Sequence, residues 1–169
     1  SNLYHLNPPT KIEMVGKQEP IKIEELSDNH RHRHIFTRKL NLKGDIISSR
    51  SPLFFNEDVI ISKGFAQEQM AYLYRNARYD ECIFIHNGKG SIISSFGEME
   101  VKKYDYVVIP KGVIWKMYLD SDIEFLAIET KNPIESPSKY RNRLGQLLEH
   151  SPYSERDIIT PNLKNKNFN

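Results

Sequence analysis

Cysteine is almost absent: among the 169 residues there is only Cys82. A lone thiol cannot form an intramolecular disulfide, so the disulfide-stapled secreted class is excluded and a reducing, cytoplasmic setting is expected. Long hydrophobic runs are also missing. No stretch approaches the roughly 18 apolar residues of a membrane-spanning helix. No charged-then-apolar leader opens the chain, and neither a membrane span nor a signal peptide is expected. Excess charge of one sign is lacking too, since 24 Lys and Arg face 22 Asp and Glu, a net charge of +2. That excludes a global field for nucleic acid, although Arg31, Arg33, Arg38, Lys39 and Lys43 could still form a local stripe. No recognised base-reading motif accompanies them, so no nucleic-acid partner is expected. The chain opens on Ser1, and Ser1-Asn2 read as a tag remnant, which leaves the 169 residues as a whole protein or a piece of one.

What is present fits one globular domain: 38% hydrophobic and 27% charged residues, at a size that buries roughly 70% of its unfolded surface. Aromatic and β-branched residues fall in short runs broken by turn residues, the pattern of an all-β body. The expected strands are Lys11–Val15, Ile21–Glu24, His32–Leu40, Val59–Gly64, Ala71–Arg75, Cys82–His86, Ser91–Ser95, Met99–Lys102, Tyr106–Ile109, Ile114–Leu119 and Ile123–Thr130. Asn87-Gly88 and Ser95-Phe96-Gly97-Glu98 are tight-turn signals. Lys43-Gly44-Asp45, followed by Ser48-Ser49-Arg50-Ser51-Pro52, reads as a long loop. One helix is expected, over Ser138–His150: Ser138 can cap it, Tyr140, Leu144, Leu147 and Leu148 share a face, and Ser151-Pro152 stops it. Residues 1–30 read as an N-terminal arm with strands, 31–137 as the barrel, 138–158 as the helix and its exit, and 159–169 as a polar linker or tail.

The chemistry-bearing candidates sit in two places. Tyr74-Arg75-Asn76-Ala77-Arg78-Tyr79-Asp80-Glu81 leads into the apolar run from Cys82 to Ile85. About twenty residues past Ile85, Asp105-Tyr106-Val107-Val108-Ile109-Pro110-Lys111-Gly112 ends close to Trp115. This order of acidic residue, apolar strand, glycine turn and Pro-x-Gly resembles the two motifs of the cupin superfamily, double-stranded β-helix barrels of jelly-roll type. In metal-binding cupins a His-x-His pair, a glutamate and a later histidine converge on the ion. Here Glu81 keeps the acidic position, while the His-x-His positions fall on Tyr74 and Asn76, or on Arg75 and Ala77 at one shorter spacing. The last histidine position is Trp115, whose indole offers no lone pair. A single glutamate does not make a transition-metal site, so no metal and no catalytic residue is assigned. Tyr74, Asn76, Glu81 and Trp115 remain ligand-binding candidates in the barrel interior, and Gly88, Gly90, Pro110 and Gly112 are turn residues.

His30-Arg31-His32-Arg33-His34 is the second place. On a strand its three histidines would share one face, yet they would span about 13 Å and no carboxylate or thiol nearby completes a set. A surface or interface strand is the better reading. Cys82 begins an apolar strand, where a thiol is usually an inert hydrophobe. His86 lies four residues along that strand, too far for hydrogen bonding, and no P-loop, Rossmann fingerprint or nucleophile elbow occurs.

The whole chain is similar to the N-terminal portion of the homogentisate 1,2-dioxygenase family. The matching stretches are Tyr4-His5-Leu6-Asn7-Pro8-Pro9-Thr10, His32-Arg33-His34, Ser51-Pro52-Leu53-Phe54-Phe55-Asn56-Glu57-Asp58-Val59, Tyr74-Arg75-Asn76-Ala77, Asp80-Glu81 and the run from Asp105 to Gly112. The most specific is the last, Arg143-Leu144-Gly145-Gln146-Leu147-Leu148-Glu149-His150-Ser151-Pro152-Tyr153-Ser154-Glu155-Arg156-Asp157-Ile158. The resemblance implies a two-cupin Fe(II) ring-cleaving oxygenase of tyrosine and phenylalanine catabolism. Its iron, held by two histidines and a glutamate, lies in a C-terminal cupin beyond this sequence. It further implies that this chain binds no iron, that it supports the catalytic barrel, and that it takes part in a homo-oligomer. Two other readings stay open at this point: a stand-alone degenerate cupin serving in binding or assembly, and a metal enzyme built on His30, His32 or His34.

Overall fold

The computed structural model describes Pro8, residues 11–16 and residues 31–163. The chain divides into two units, residues 1–33 and residues 34–169. In the first, residues 11–16 are exposed and form no strand; a turn bond from Lys11 N–H to the Pro8 carbonyl (3.0 Å) is their local order. The strand expected over Lys11–Val15 is therefore absent, and no strand among the described residues pairs with its backbone. The strand expected over Ile21–Glu24 lies outside the described residues.

The second unit is all-β. Its strands are β1 (Ser51–Phe55), β2 (Val59–Ala66), β3 (Asp80–Asn87), β4 (Lys89–Ser94), β5 (Gly97–Lys102), β6 (Tyr106–Ile109), β7 (Trp115–Leu119) and β8 (Ile123–Thr130). Five form one antiparallel sheet in the order β1-β2-β8-β3-β6, and three form a second, β5-β4-β7. From β3 onward the chain passes back and forth between the sheets, the double-sheet arrangement of a jelly roll, so the cupin-type fold class expected from the sequence is the one found.

Strand alternation builds the core. In β8, Ile123, Phe125, Ala127 and Glu129 are buried while their neighbours are less so; Ile83 and Ile85 of β3 and Trp115 and Met117 of β7 also face inward. Gly64 stands opposite Phe125 in the β2–β8 register, and the ring lies where a glycine Cβ would be. That close approach requires glycine at this position. Asn87-Gly88 does turn the chain, but it carries it from one sheet to the other instead of closing a hairpin. Gly88 adopts φ +95°, and any side chain there would meet the Asp122 carbonyl. Ser95-Phe96 is the expected hairpin turn, joining Ser94 to its partner Gly97.

Four further expectations need correction. Strand β1 begins at Ser51 inside the stretch read as loop; Pro52 is tolerated because β1 is an edge strand with a register shift beside it. His32–Leu40 is not a strand: residues 31–36 are irregular and Thr37–Lys39 make a 3-10 turn. Ala71–Arg75 supplies one bridge residue, Tyr74, which exchanges both backbone hydrogen bonds with Trp115 at 2.9 Å.

The helix over Ser138–His150 is the fourth. Only a 3-10 turn, Ser138–Tyr140, forms there. Beyond it Asn142 Oδ1 accepts the N–H groups of Leu144 and Gln146, Gly145 takes φ +87°, and Arg141 bridges Leu147. An asparagine offering its side chain to the local backbone, plus a glycine in the left-handed region, closes a tight loop that outcompetes helix. Leu144, counted toward an apolar helix face, is 77% exposed. Farther on, Asn162 exchanges backbone hydrogen bonds with Glu98 at the edge of β5. No helix among the described residues is long and apolar enough to cross a membrane.

Candidate functional site

At one end of the five-stranded sheet an inward row runs Ile60, Glu129, Glu81, Ile109, each residue directly opposite the next on the neighbouring strand. Two glutamates thus face each other across the β3–β8 pair. Their side chains, Glu81 and Glu129, are 1% and 10% exposed. Like charges placed this way repel, the more so when water is excluded. A third side chain resolves the conflict: Arg50 Nη1 donates to Glu81 Oε1 at 2.5 Å and lies 3.7 Å from Glu129 Oε2, with the Arg50 side chain itself only 8% exposed.

Arg50 reaches this place because the loop before β1 is well built. Asp45 Oδ1 accepts the N–H groups of Ile47 (2.8 Å) and Ser48 (2.9 Å) and the Tyr72 hydroxyl, which winds residues 45–49 into a turn. The turn drives Ile46, fully buried, into the core, and Arg50 Nε bonds back to the Ile46 carbonyl at 3.0 Å. Burial alone pushes the Asp45 carboxyl up, but the hydrogen bonds from Ser48, Ile47 and Tyr72 outweigh it and hold the group below its ordinary value. Tyr72 is pushed up to about 12, first by burial and then by that bond to Asp45.

Asn76 supports the second glutamate. Its Nδ2 donates to Glu129 Oε1 at 2.8 Å, while its Oδ1 accepts the N–H groups of Arg78 and Tyr79. Burial raises the Glu129 carboxyl, Arg50 opposes the rise, and Glu81 adds to it. Tyr74 stands within the same field. Burial and the Glu81 charge push its phenol up to about 12, so it stays protonated near neutral pH. Its ring meets Trp115 edge-on with centroids 5.6 Å apart. Several buried polar atoms here have no partner: Arg50 Nη2, Glu81 Oε2, Ser49 Oγ and Trp115 Nε1.

The four residues singled out from the sequence therefore fall in one region. Glu81 is ion-paired, Asn76 braces Glu129, and Tyr74 packs on Trp115. Neighbouring Asp80 plays a different part. It is buried, and its two oxygens accept the N–H groups of Lys111 and Ile134, both at 2.9 Å, pinning the Pro-x-Gly turn. Sequence reasoning missed Arg50 and Glu129. Glu129 was readable, as the fourth member of the alternating row Ile123, Phe125, Ala127, Glu129. Arg50 carried no such signal, being in a loop 31 residues from its partner.

This donor set does not fit a metal ion. The positive charge between the two carboxylates is already supplied by a guanidinium, Asn76 Oδ1 is engaged by two backbone groups, Tyr74 keeps its proton, and Trp115 has no lone pair. Among the described residues, no three of His, Cys, Asp and Glu gather into a metal-holding group. His32 and His34 are exposed on irregular backbone, so the strand that would align them is missing; His34 stacks on Phe36 at 4.4 Å, and His30 lies outside the described residues. Cys82 is half-buried on the opposite face of β3 from Glu81, and burial pushes its thiol up, away from the reactive thiolate.

No family model matches the chain. It is 42% identical over 166 residues to a Saccharolobus solfataricus protein that carries the name "Putative dioxygenase", an alignment covering 97% of this chain and 43% of that protein. The chain thus spans less than half the length of this curated relative. Among solved structures, a cupin-2 domain protein from Shewanella frigidimarina is 20% identical over 48% of this chain and 79% of its own, with a TM-score of 0.44. A cupin protein from Bacteroides fragilis is 19% identical over 65% of this chain and 92% of its own, with a TM-score of 0.48.

Proposed function

We propose that this chain is the non-catalytic N-terminal cupin of a two-barrel oxygenase of the homogentisate 1,2-dioxygenase type. Ring cleavage and Fe(II) belong, in this reading, to a second cupin that follows in the longer protein. The barrel formed by β1 to β8 supports and covers that catalytic barrel within a cytoplasmic homo-oligomer. The observation that carries the reading is Arg50, hydrogen-bonded to Glu81 and 3.7 Å from Glu129, where a metal-binding barrel would need open donors. The similarity to a dioxygenase-named protein of more than twice this length supports it further, as does the run from Arg143 to Ile158 that generic cupins lack.

The test has two arms. Incubated with Fe(II), the 169-residue chain should retain no stoichiometric iron after desalting and should consume no oxygen with homogentisate. Fused to the part of the Saccharolobus protein that it does not cover, it should give an iron-containing chimera with homogentisate-dependent oxygen uptake. Turnover by the chain alone, or an iron-loaded chimera inert toward homogentisate, would overturn the proposal.

A further inference from the structure

β5 is an outer strand of the three-stranded sheet and β6 of the five-stranded one, and they do not pair with each other. Both line a cavity of about 810 Å³, covered from outside by residues of the segment 153–161. In an antiparallel ladder each residue turns its N–H and C=O to one side, and its neighbours turn theirs to the other. Ile85 N–H donates to the Asp105 carbonyl at 3.0 Å, and the Ile85 carbonyl accepts Tyr104 N–H at 2.7 Å. Ile83, two residues back and opposite Val107, therefore also bonds toward β6, so Tyr106 and Val108 turn their backbone groups away from β3. On β5, Glu98 gives both of its backbone groups to Asn162. Glu100, two residues on, likewise turns its groups away from β4.

Glu100, Tyr106 and Val108 all line the cavity. Among the described residues, their outward N–H and C=O groups have no hydrogen-bond partner. Two open edges of this kind are a template for a further strand. The floor between them is apolar, with Ile92, Val101, Val107 and Ile109 all buried. A strand laid along the seam would bury every second side chain against that floor. The β5 edge already takes one residue in this way: Asn162 N–H donates to the Glu98 carbonyl at 2.8 Å and the Asn162 carbonyl accepts Glu98 N–H at 3.0 Å.

We infer that the seam between β5 and β6 receives an extended strand, apolar at alternate positions, from the polypeptide that follows this chain in the longer protein. Backbone pairing supplies the affinity and the apolar floor selects the side chains. Two facts point to that source. The segment 153–162 carries the chain along the cavity mouth and onto the β5 edge. More than half of the Saccharolobus relative lies outside the matched region. The inference rests on the reading that a second barrel follows this one, and not on the chemistry proposed for that barrel.

Hydrogen–deuterium exchange resolved to single amides tests it. In the 169-residue chain, the amides of Glu100, Tyr106 and Val108 should exchange near the open-chain rate, while Met99 and Val107, inside their ladders, are protected. In the chimera described above the first three should slow by about a hundredfold or more. Val108→Pro removes only an outward N–H, which an edge position tolerates. It should leave the urea midpoint of the chain near native and, in the chimera, strip Tyr106 of most of its gained protection. Protection of all three amides in the chain alone, or no gain in the chimera, would overturn the inference. An active chimera without the gain overturns it and leaves the proposed function standing. An iron-loaded chimera inert toward homogentisate but showing the gain does the reverse.

Discussion

Replacing Arg50 with methionine removes a buried guanidinium while keeping most of its apolar stem. In the native protein that group separates two inward carboxylates that stand opposite each other on adjacent strands, its side chain 8% exposed and that of Glu81 1%. Breaking a buried ion pair by deleting one partner typically costs about 3–5 kcal/mol, since the other charge is stranded. In Arg50→Met two carboxylates are stranded, but they can share a proton, which holds the cost within that range near pH 5. For a chain of this length the loss corresponds to a fall in Tm of roughly 10 °C.

The pH dependence follows from the direction of the Glu129 shift. Burial raises that carboxyl above its unfolded value, and Arg50 is what opposes the rise. A carboxyl raised in the fold contributes its stability at low pH and loses it as pH climbs through the folded value. Deleting Arg50 widens the gap, so Arg50→Met should be more destabilised relative to the native chain at pH 8 than at pH 5. Urea unfolding followed by Trp115 emission at both values measures this. The triple variant Arg50→Met, Glu81→Gln, Glu129→Gln should recover most of the loss, because no charge is left to strand. A cost below about 1 kcal/mol, or one equal at the two pH values, would refute the assignment of Arg50 as the cation that makes the glutamate pair tolerable.

Glu129→Gln keeps a carbonyl acceptor for Asn76 and removes the raised carboxyl. Its stability relative to the native chain should therefore improve steadily from pH 4 to pH 8, and a trend of opposite sign in urea midpoints would count against it. Gly145→Ala tests the loop that replaces the expected helix. Nothing lies within 4 Å of the added Cβ, so the cost of about 1 kcal/mol comes from φ +87° alone. In a helix the same change would stabilise by a similar amount and deepen the 222 nm dichroism, and that result would contradict the structure.

How far the fold was legible depended on whether pattern and partner coincided. Strands β6 and β8 match their expected bounds because alternation along them is complete and each has a neighbour to pair with. Residues 11–15 and 32–40 carry β-type residues without a pairing strand among the described residues, and backbone groups that find no ladder do not stay extended. The leucines at 144, 147 and 148 have helical spacing, yet Asn142 and Gly145 bring a local alternative that spacing alone cannot weigh. For the candidate site, the motif positions Tyr74, Asn76, Glu81 and Trp115 identified the region. The identity of its cation came only from the fold, because an arginine in a loop has no periodicity to betray it.

The two sides of Trp115 now have different characters. On one, its ring meets Tyr74 beside Glu81, Arg50 and Glu129; on the other it lines the cavity between β5 and β6. A buried ion set contributes little net stability compared with well-packed apolar residues, so the Arg50 cluster is better understood through what it positions. Arg50 ties the 45–49 turn, and with it the buried Ile46, to strands β3 and β8. That closes this end of the barrel with side chains already committed to one another. With that end latched by a salt bridge, the open and apolar volume lies at the side, under residues 153–161.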